Sequence, residues 1–365
     1  AGHLTEAATI TVNDGTGSSV VNASDGAMLA SFTADIDFDV SDTAANLAAQ
    51  VASGVAQGYG PDSLEDADSV FVESGAVVTA AQAESVQDLI NYSGGDIDIT
   101  DNAANLISAG DHVLNVTGVD VVTVDDGNGG STVNAADGAA LSAFTADVGF
   151  DVVDNAVGLI AQMNGTDPAG HLTEANSITV DDAANGSVVN ANDGAMLASF
   201  TADIDFDVAD TAANLAAQVA SGVASGSGPD SLDEADSVFV ESGAAVTAAQ
   251  AESVQDILNY SGGNIDVSDT AAALISAGDH VLNVNGVDVV TVNDGATTAQ
   301  QGAMLAGFTA DVQFDVADDV GALKSVMGTN DPASYLTEAN SITLDNDGLG
   351  DRVVNASDGG ILAGF

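Results

Sequence analysis

The chain repeats itself at long range, and this bounds its fold more tightly than any local motif. The segment "AGHLTEAATITVNDG" at Ala1 returns as "AGHLTEANSITVDDA" at Ala169 and as "ASYLTEANSITLDND" at Ala333. "DGAMLASFTADIDFDV" recurs unchanged from Asp25 and Asp193, and "TAAQAESVQD" from Thr79 and Thr247. Two near-identical copies therefore span 1–168 and 169–332, and a third is cut at 333–365. Each full copy divides into three units, which begin near Leu4, Leu64 and Val113 in the first. A fold built this way grows by adding similar modules, so each module needs only a thin core. The composition agrees: aromatic residues make up 4% and tryptophan is absent.

Within a unit the hydrophobic period switches twice. Alternating stretches such as "TITVND", "SVFVES" and "VVTVDD" read as strands. A short helix follows, "GAMLASF" or "AAQAESVQDLINY", then a second strand, "DIDFDV", "DIDIT" or "DVGFDV", then a second helix, "TAANLAAQVASG" or "NAANLISAG". In the second strand Ile36, Phe38 and Val40 fall on one face and the aspartates on the other. In the second helix Asp42 is placed to cap, Ala44, Leu47, Ala48 and Val51 keep helical spacing, and Gly54 stands where a left-handed terminal residue is wanted. Thr79 opens a capping box with Ala83, Val86 and Ile90 along one face. The prolines Pro61, Pro168, Pro229 and Pro332 fall at unit boundaries. Strand and helix alternating at short intervals predict parallel strands joined by right-handed crossovers. The expected class is α/β, a repetitive solenoid of strand-helix units; the alternative is a string of tandem all-β sandwich domains.

Charge is the second constraint. The chain has 365 residues, 56 acidic and two basic, Lys324 and Arg352, for a formal charge of -54. Such a surface repels nucleic acid and anionic membranes. It is not a disordered polyanion, because 45% of residues are apolar and the acids are spread through the hydrophobic period. No long apolar run or signal-peptide pattern is present, so no membrane insertion is expected. Cysteine is absent, which excludes disulfides and thiolate metal sites. The start without Met, in phase with the repeat, suggests a mature product or a piece of a longer chain.

The aspartates are the candidate site. Stacked equivalent strands would bring Asp37 and Asp98 into a column with ~4.8 Å spacing. Each such contact costs ~0.9 kcal/mol in water and ~3.5 kcal/mol at an effective dielectric near 20. A Debye length of ~8 Å leaves that repulsion largely unscreened. Hard divalent cations with oxygen ligands would relieve it, and Ca2+ tolerates irregular coordination. The candidate calcium ligands are Asp35, Asp37, Asp39, Asp96, Asp98, Asp125, Asp126, Asp181, Asp182, Asp203, Asp205 and Asp207, helped by Asp14. Against this stands a plainer reading, of solvated carboxylates in a salt-adapted protein, with Asp42, Asp101, Asp210 and Asp269 as helix caps. "DNDG" at Asp345 lacks the downstream glutamate of an EF-hand loop.

Enzyme chemistry is not expected. Carboxylate pairs recur in unit after unit, whereas catalytic constellations are set once, in one pocket. His3 and His171 are one repeat position, and His112 and His280 another, with no triad, phosphate-loop or zinc spacing around them. Asn-x-Ser/Thr sequons occur at Asn22, Asn91, Asn115, Asn164, Asn185, Asn259 and Asn355; they acquire meaning only where glycosylation machinery exists.

"VSDTAANLAA" from Val40, "VADTAANLAA" from Val208 and "ITDNAANLIS" from Ile99 resemble the VSDTAANLA-type tandem-repeat regions of large secreted bacterial surface proteins, often found with haemolysin-type calcium-binding repeats. The glycine-rich nonapeptide of those calcium repeats is absent from this chain. The resemblance implies an extracellular, structural or adhesive role at the cell surface, with calcium. The expected function is a calcium-stabilised structural protein that joins head to tail with itself into a filament, sheath or surface layer, in contact with other cell-surface or matrix components. The alternative is the stalk of a giant calcium-dependent adhesin. The third is a carbohydrate-binding surface, disfavoured by the few aromatics, with Tyr59, Tyr92, Tyr260 and Tyr335 as the tyrosines.

Overall fold

A computed structural model of the chain describes residues 10–13, 19–32, 36–56, 64, 66–73, 77–163, 172, 174–182, 186–199, 203–225, 232, 234–326, 336, 338–345, 359–360 and 362. Asp14, Asp35, His3, His171, Arg352, the four boundary prolines and most of the "DNDG" loop lie outside these residues. The chain divides into two compact units, Ala1–Thr179 with Thr201–Asp203, and Val180–Phe200 with Ile204–Phe365.

In the first unit, strand Asp39–Thr43 lies between Val20–Val21 and Val70–Glu73, and Val70–Glu73 pairs onward with Tyr92–Gly95. All three ladders are parallel, with Val21 opposite Val40 and Val40 opposite Val70. A second sheet sets Val119–Val124 between Ile97–Asp101 and Val148–Gly149, again in parallel. In the second unit Val188–Val189, Asp207–Thr211, Ser237–Glu241 and Tyr260–Gly263 repeat the first arrangement. Ile265–Asp269, Val287–Val292 and Val312–Gln313 repeat the second. Strand Asp39–Thr43 is thus flanked by a short strand that precedes it and by the first strand of the sequence unit that follows. Between paired strands the chain returns through a helix, the connection a parallel pair requires. The class is mixed α/β, and an all-β sandwich, built of antiparallel hairpins, is not its architecture.

The alternation of the second strand is observed as expected: Ile36, Phe38 and Val40 are buried. Phe38, Phe150, Phe206 and Phe314 occupy one position in the repeat and are among the largest fully buried side chains. Helix Ala44–Ala56 packs on strands Asp39–Thr43 and Val70–Glu73 and buries Ala44, Leu47, Ala48 and Val51. The preceding helix, Ala23–Ala30, turns Gly26 toward the strand. A Cβ on Gly26 would lie 2.6 Å from Val40 Cγ2 and 3.5 Å from Phe38 Cε2. Gly138, Gly194 and Gly302 stand in the same relation to Val152, Val208 and Val316. Small residues, rather than large interlocking ones, set the distance from helix to sheet.

Helix ends follow local chemistry in part. Thr79 and Gln82 form the expected capping box, and Thr247–Gln250 and Thr298–Gln301 repeat it. Gly54 does not end its helix, which continues to Ala56, and it is buried. Ile90 is also misplaced by its spacing: helix Ala80–Gln87 stops short of it, Leu89 turns inward, and Ile90 is 83% exposed. No helix among the described residues is long and apolar enough to cross a membrane.

Candidate functional site

Each long strand carries two aspartates three residues apart, and the pleat sends them to opposite faces. In four of these strands the first, outward on the sheet, accepts from serines of the neighbouring strand segments. Asp39 accepts from Ser19 Oγ at 3.0 Å and Ser69 Oγ at 2.7 Å. Asp151 accepts from Ser131 at 2.5 Å and Ser177 at 2.7 Å. Asp207 accepts from Ser187 at 3.0 Å and Ser237 at 2.6 Å. Asp315 accepts from Ser341 at 2.5 Å. These hydroxyls come from 20 to 30 residues away in sequence.

The second aspartate turns inward to the helix N-termini and serves two helices at once. Asp42 Oδ2 accepts the first helical N–H of Ala23–Ala30, at 3.0 Å. Its Oδ1 accepts Thr43 N–H at 2.8 Å and Asn46 Nδ2 at 2.7 Å, at the start of its own helix. Asp101 repeats this with Ala80, Asn102 and Asn105 at 3.1, 2.8 and 2.7 Å. Asp210 does so with Ala191, Thr211 and Asn214 at 3.0, 2.7 and 2.7 Å. Asp154, Asp269 and Asp318 likewise accept from Ala135, Ala248 and Ala299 and from the residue that follows each of them. Helix N-termini favour a negative charge, and two of them share each carboxylate. The expectation that Asp42, Asp101, Asp210 and Asp269 are caps therefore needs refining: the caps proper are the next residues, such as Asn102 and Thr270, and the aspartate bridges to a neighbouring helix. Burial works against the charge on Asp42, but the hydrogen bonds from Asn46, Ala23 and Thr43 outweigh it and hold its carboxyl below the usual range.

Among the described residues the expected column of aspartates does not form. Asp37 stands opposite Thr11, Asp98 opposite Val121 and Asp207 opposite Ser237. The neighbour of each long strand is a strand of another type, so equivalent aspartates do not meet across these ladders. One carboxyl pair does come together: a hydrogen bond with Asp120 raises the Asp96 carboxyl above its ordinary range, aided by desolvation and by the charges of Asp120 and Asp98. The repeat places Asn264 where Asp96 stands in the first copy. Asp120 was not among the sequence candidates, since its strand reads as a plain valine alternation.

The remaining candidates are dispersed. Asp37, Asp203 and Asp205 are exposed, and Asp181 is exposed at a strand end. Asp125 Oδ1 accepts Gly127 N–H at 2.9 Å, and Asp126 Oδ1 accepts Asn128 N–H at 2.7 Å and Gly130 N–H at 3.1 Å, so this loop folds on its own carboxylates. Asp182 exchanges backbone hydrogen bonds with Gly186 at 2.7 and 3.0 Å. Among the described residues no three His, Asp or Glu side chains gather as a metal would require. Calcium takes about six to eight oxygen ligands, and the oxygens of Asp39 and Asp207 already accept serine hydroxyls.

The other charged groups are peripheral. Asp111 opens a short helix and accepts Thr145 N–H at 2.8 Å and Ala146 N–H at 3.2 Å; those bonds lower its carboxyl, with desolvation opposing. Asp279 does the same for Thr309 and Ala310. His112 lies 3.6 Å from Glu84 and His280 3.7 Å from Glu252, all well exposed, where such a pair contributes little. Burial raises the phenols of Tyr92 and Tyr260, whose hydroxyls donate to the carbonyls of Thr117 and Asn285 at 3.3 and 3.4 Å. Compared with known proteins, the chain matches no family model, and no curated protein or solved structure matches it.

Proposed function

We propose that this chain is an extracellular structural repeat protein whose strand-helix units stack as an α/β solenoid and whose molecules join head to tail into a filament, sheath or surface layer. The observation that carries the reading is the repetition of one polar framework. The carboxylate shared by two helix N-termini recurs at Asp42, Asp101, Asp154, Asp210, Asp269 and Asp318, and the serine-aspartate-serine row at Asp39, Asp151 and Asp207, with nearly the same distances. Chemistry spread evenly along a chain suits a role in which length and repeated surface matter. Sheets that take strands from successive repeats support a stacked arrangement. Calcium enters this reading as a counter-ion between molecules, at carboxylates the fold leaves exposed, such as Asp37 and Asp205. Two surfaces of this charge cannot approach without cations between them.

Electron microscopy of the purified chain in millimolar calcium and in chelator tests the proposal. Filaments or sheets in calcium that disperse in chelator are the expected result. Isolated rods in both conditions would overturn it and favour the stalk of an adhesin, in which repeats only hold a distant module away from the cell.

A further inference from the structure

Four of the chain's Asn-x-Ser/Thr sequons lie on described residues, and the fold treats them differently. At Asn91 the side-chain amide is spent inside the structure: Nδ2 donates to the carbonyls of Leu64 at 2.9 Å and Ala67 at 2.6 Å. Asn259 does the same in the second copy, donating to Leu232 at 3.3 Å and to Ala235. Asn22 is exposed but serves as a helix cap, accepting Asp25 N–H at 2.9 Å through Oδ1 and donating to the Asp25 carboxylate at 3.0 Å through Nδ2. Asn115 differs from all three. It follows the short helix Asp111–Leu114, its backbone N–H closes that helix onto Asp111, and both Asn115 and Thr117 are exposed. Glycan transfer needs a free amide nitrogen, with the hydroxyl two residues on within reach of the enzyme, and this turn presents both.

The second copy supplies an internal control. Asn283 has φ −113 and ψ 44, against φ −112 and ψ 41 at Asn115, and follows the equivalent helix Asp279–Leu282. Its residue two places on is Asn285, so the same turn offers the amide without the hydroxyl.

We propose that Asn115 is a glycan acceptor of the folded protein, and that Asn91 and Asn259 are not. The co-reactant is a lipid-diphosphate-linked oligosaccharide. The Asn115 amide nitrogen forms a bond to the anomeric carbon, the bond from that carbon to the phosphate oxygen breaks, and the lipid diphosphate leaves with the electron pair. One amide proton passes to a base of the transferase.

The experiment incubates the folded full-length chain with a purified oligosaccharyltransferase that requires only Asn-x-Ser/Thr and with its lipid-linked donor, then maps occupancy by peptide mass. Occupied Asn115 beside empty Asn91 and Asn259 is the expected pattern. Thr117→Ala should abolish transfer to Asn115, and Asn285→Thr should create transfer to Asn283, both without a change in the circular dichroism spectrum. The proposal fails if Asn115 stays empty on the folded chain while a denatured sample accepts glycan there, or if Asn91 is filled as fully as Asn115. It fails as well if Asn285→Thr gains nothing at Asn283, since the shared turn would then not be what selects the site.

Discussion

At the scale of single residues, the carboxylate of Asp101 illustrates how this chain tolerates its charge. It is 8% exposed and accepts four hydrogen bonds, two of them from backbone N–H groups at helix starts. Asp101→Ala strands those donors, and a buried unsatisfied donor costs ~1–3 kcal/mol. Chemical denaturation should show a loss of about 2–3 kcal/mol, with hydrogen exchange rising first at Ala80 and Asn102. A loss below about 0.5 kcal/mol would mean that water replaces the carboxylate freely. The pH dependence follows from the shifts. The carboxyls of Asp42, Asp111 and Asp279 are lowered in the fold, so the unfolded chain binds more protons than the native one as pH falls. Their contribution is complete above the ordinary carboxylate range near pH ~4 and disappears as pH drops through their lowered values. Asp96 has the opposite sign: its raised carboxyl favours the fold at low pH and loses that advantage as pH rises through it. Asp96→Asn should therefore raise the melting temperature at neutral pH and leave it unchanged in acid; equal effects at both would show that the Asp120 contact is not felt.

Helices and strands obey rules that are partly local. Thr79 and Gln82 announce a capping box in four residues, and the helix starts there. Gly26 and Gly194 look like poor helix residues, since glycine costs a helix up to ~1 kcal/mol. Their reason is non-local: a methyl group at Gly194 would sit 2.6 Å from Val208 Cγ2. Gly194→Ala should destabilise by ~1–3 kcal/mol through overpacking, despite its better helix propensity, and adding Val208→Ala should recover part of the loss. Additive losses in a double-mutant cycle would separate the two positions. Gly54 and Ile90 mark the limit of pattern reading, since each sits at a spacing that suits more than one outcome. Only the path of the chain after helix Ala80–Gln87 turns Leu89 inward and Ile90 outward.

For the whole molecule, 56 acidic side chains against two basic ones mean that repulsion is distributed over the surface. Shared carboxylates and serine clamps answer some of these charges locally, and exposed ones such as Asp37, Asp203 and Asp205 depend on solution ions. The melting temperature should rise steadily with sodium chloride as the Debye length shrinks. At matched ionic strength, calcium should add little to the stability of a single molecule and much to association between molecules. A saturable rise in melting temperature at sub-millimolar calcium, reversed by chelator, would instead show cages inside the chain and return the strand aspartates to their expected role.

Much of this protein was determined by short-range pattern. Period-two alternation in "DIDFDV" set which side chains form the core, capping residues set where several helices begin, and the long repeat implied that one arrangement would recur. The fate of the aspartates was decided elsewhere. Whether Asp39 meets another aspartate or two serines depends on which strands lie beside it, and Ser19 and Ser69 arrive from 20 and 30 residues away. The same holds for Asp42, whose partner Ala23 belongs to an earlier helix. A sequence pattern reports the face a residue occupies. The neighbour across that face is a matter of register between distant segments, and register is set by packing of the whole sheet against its helices.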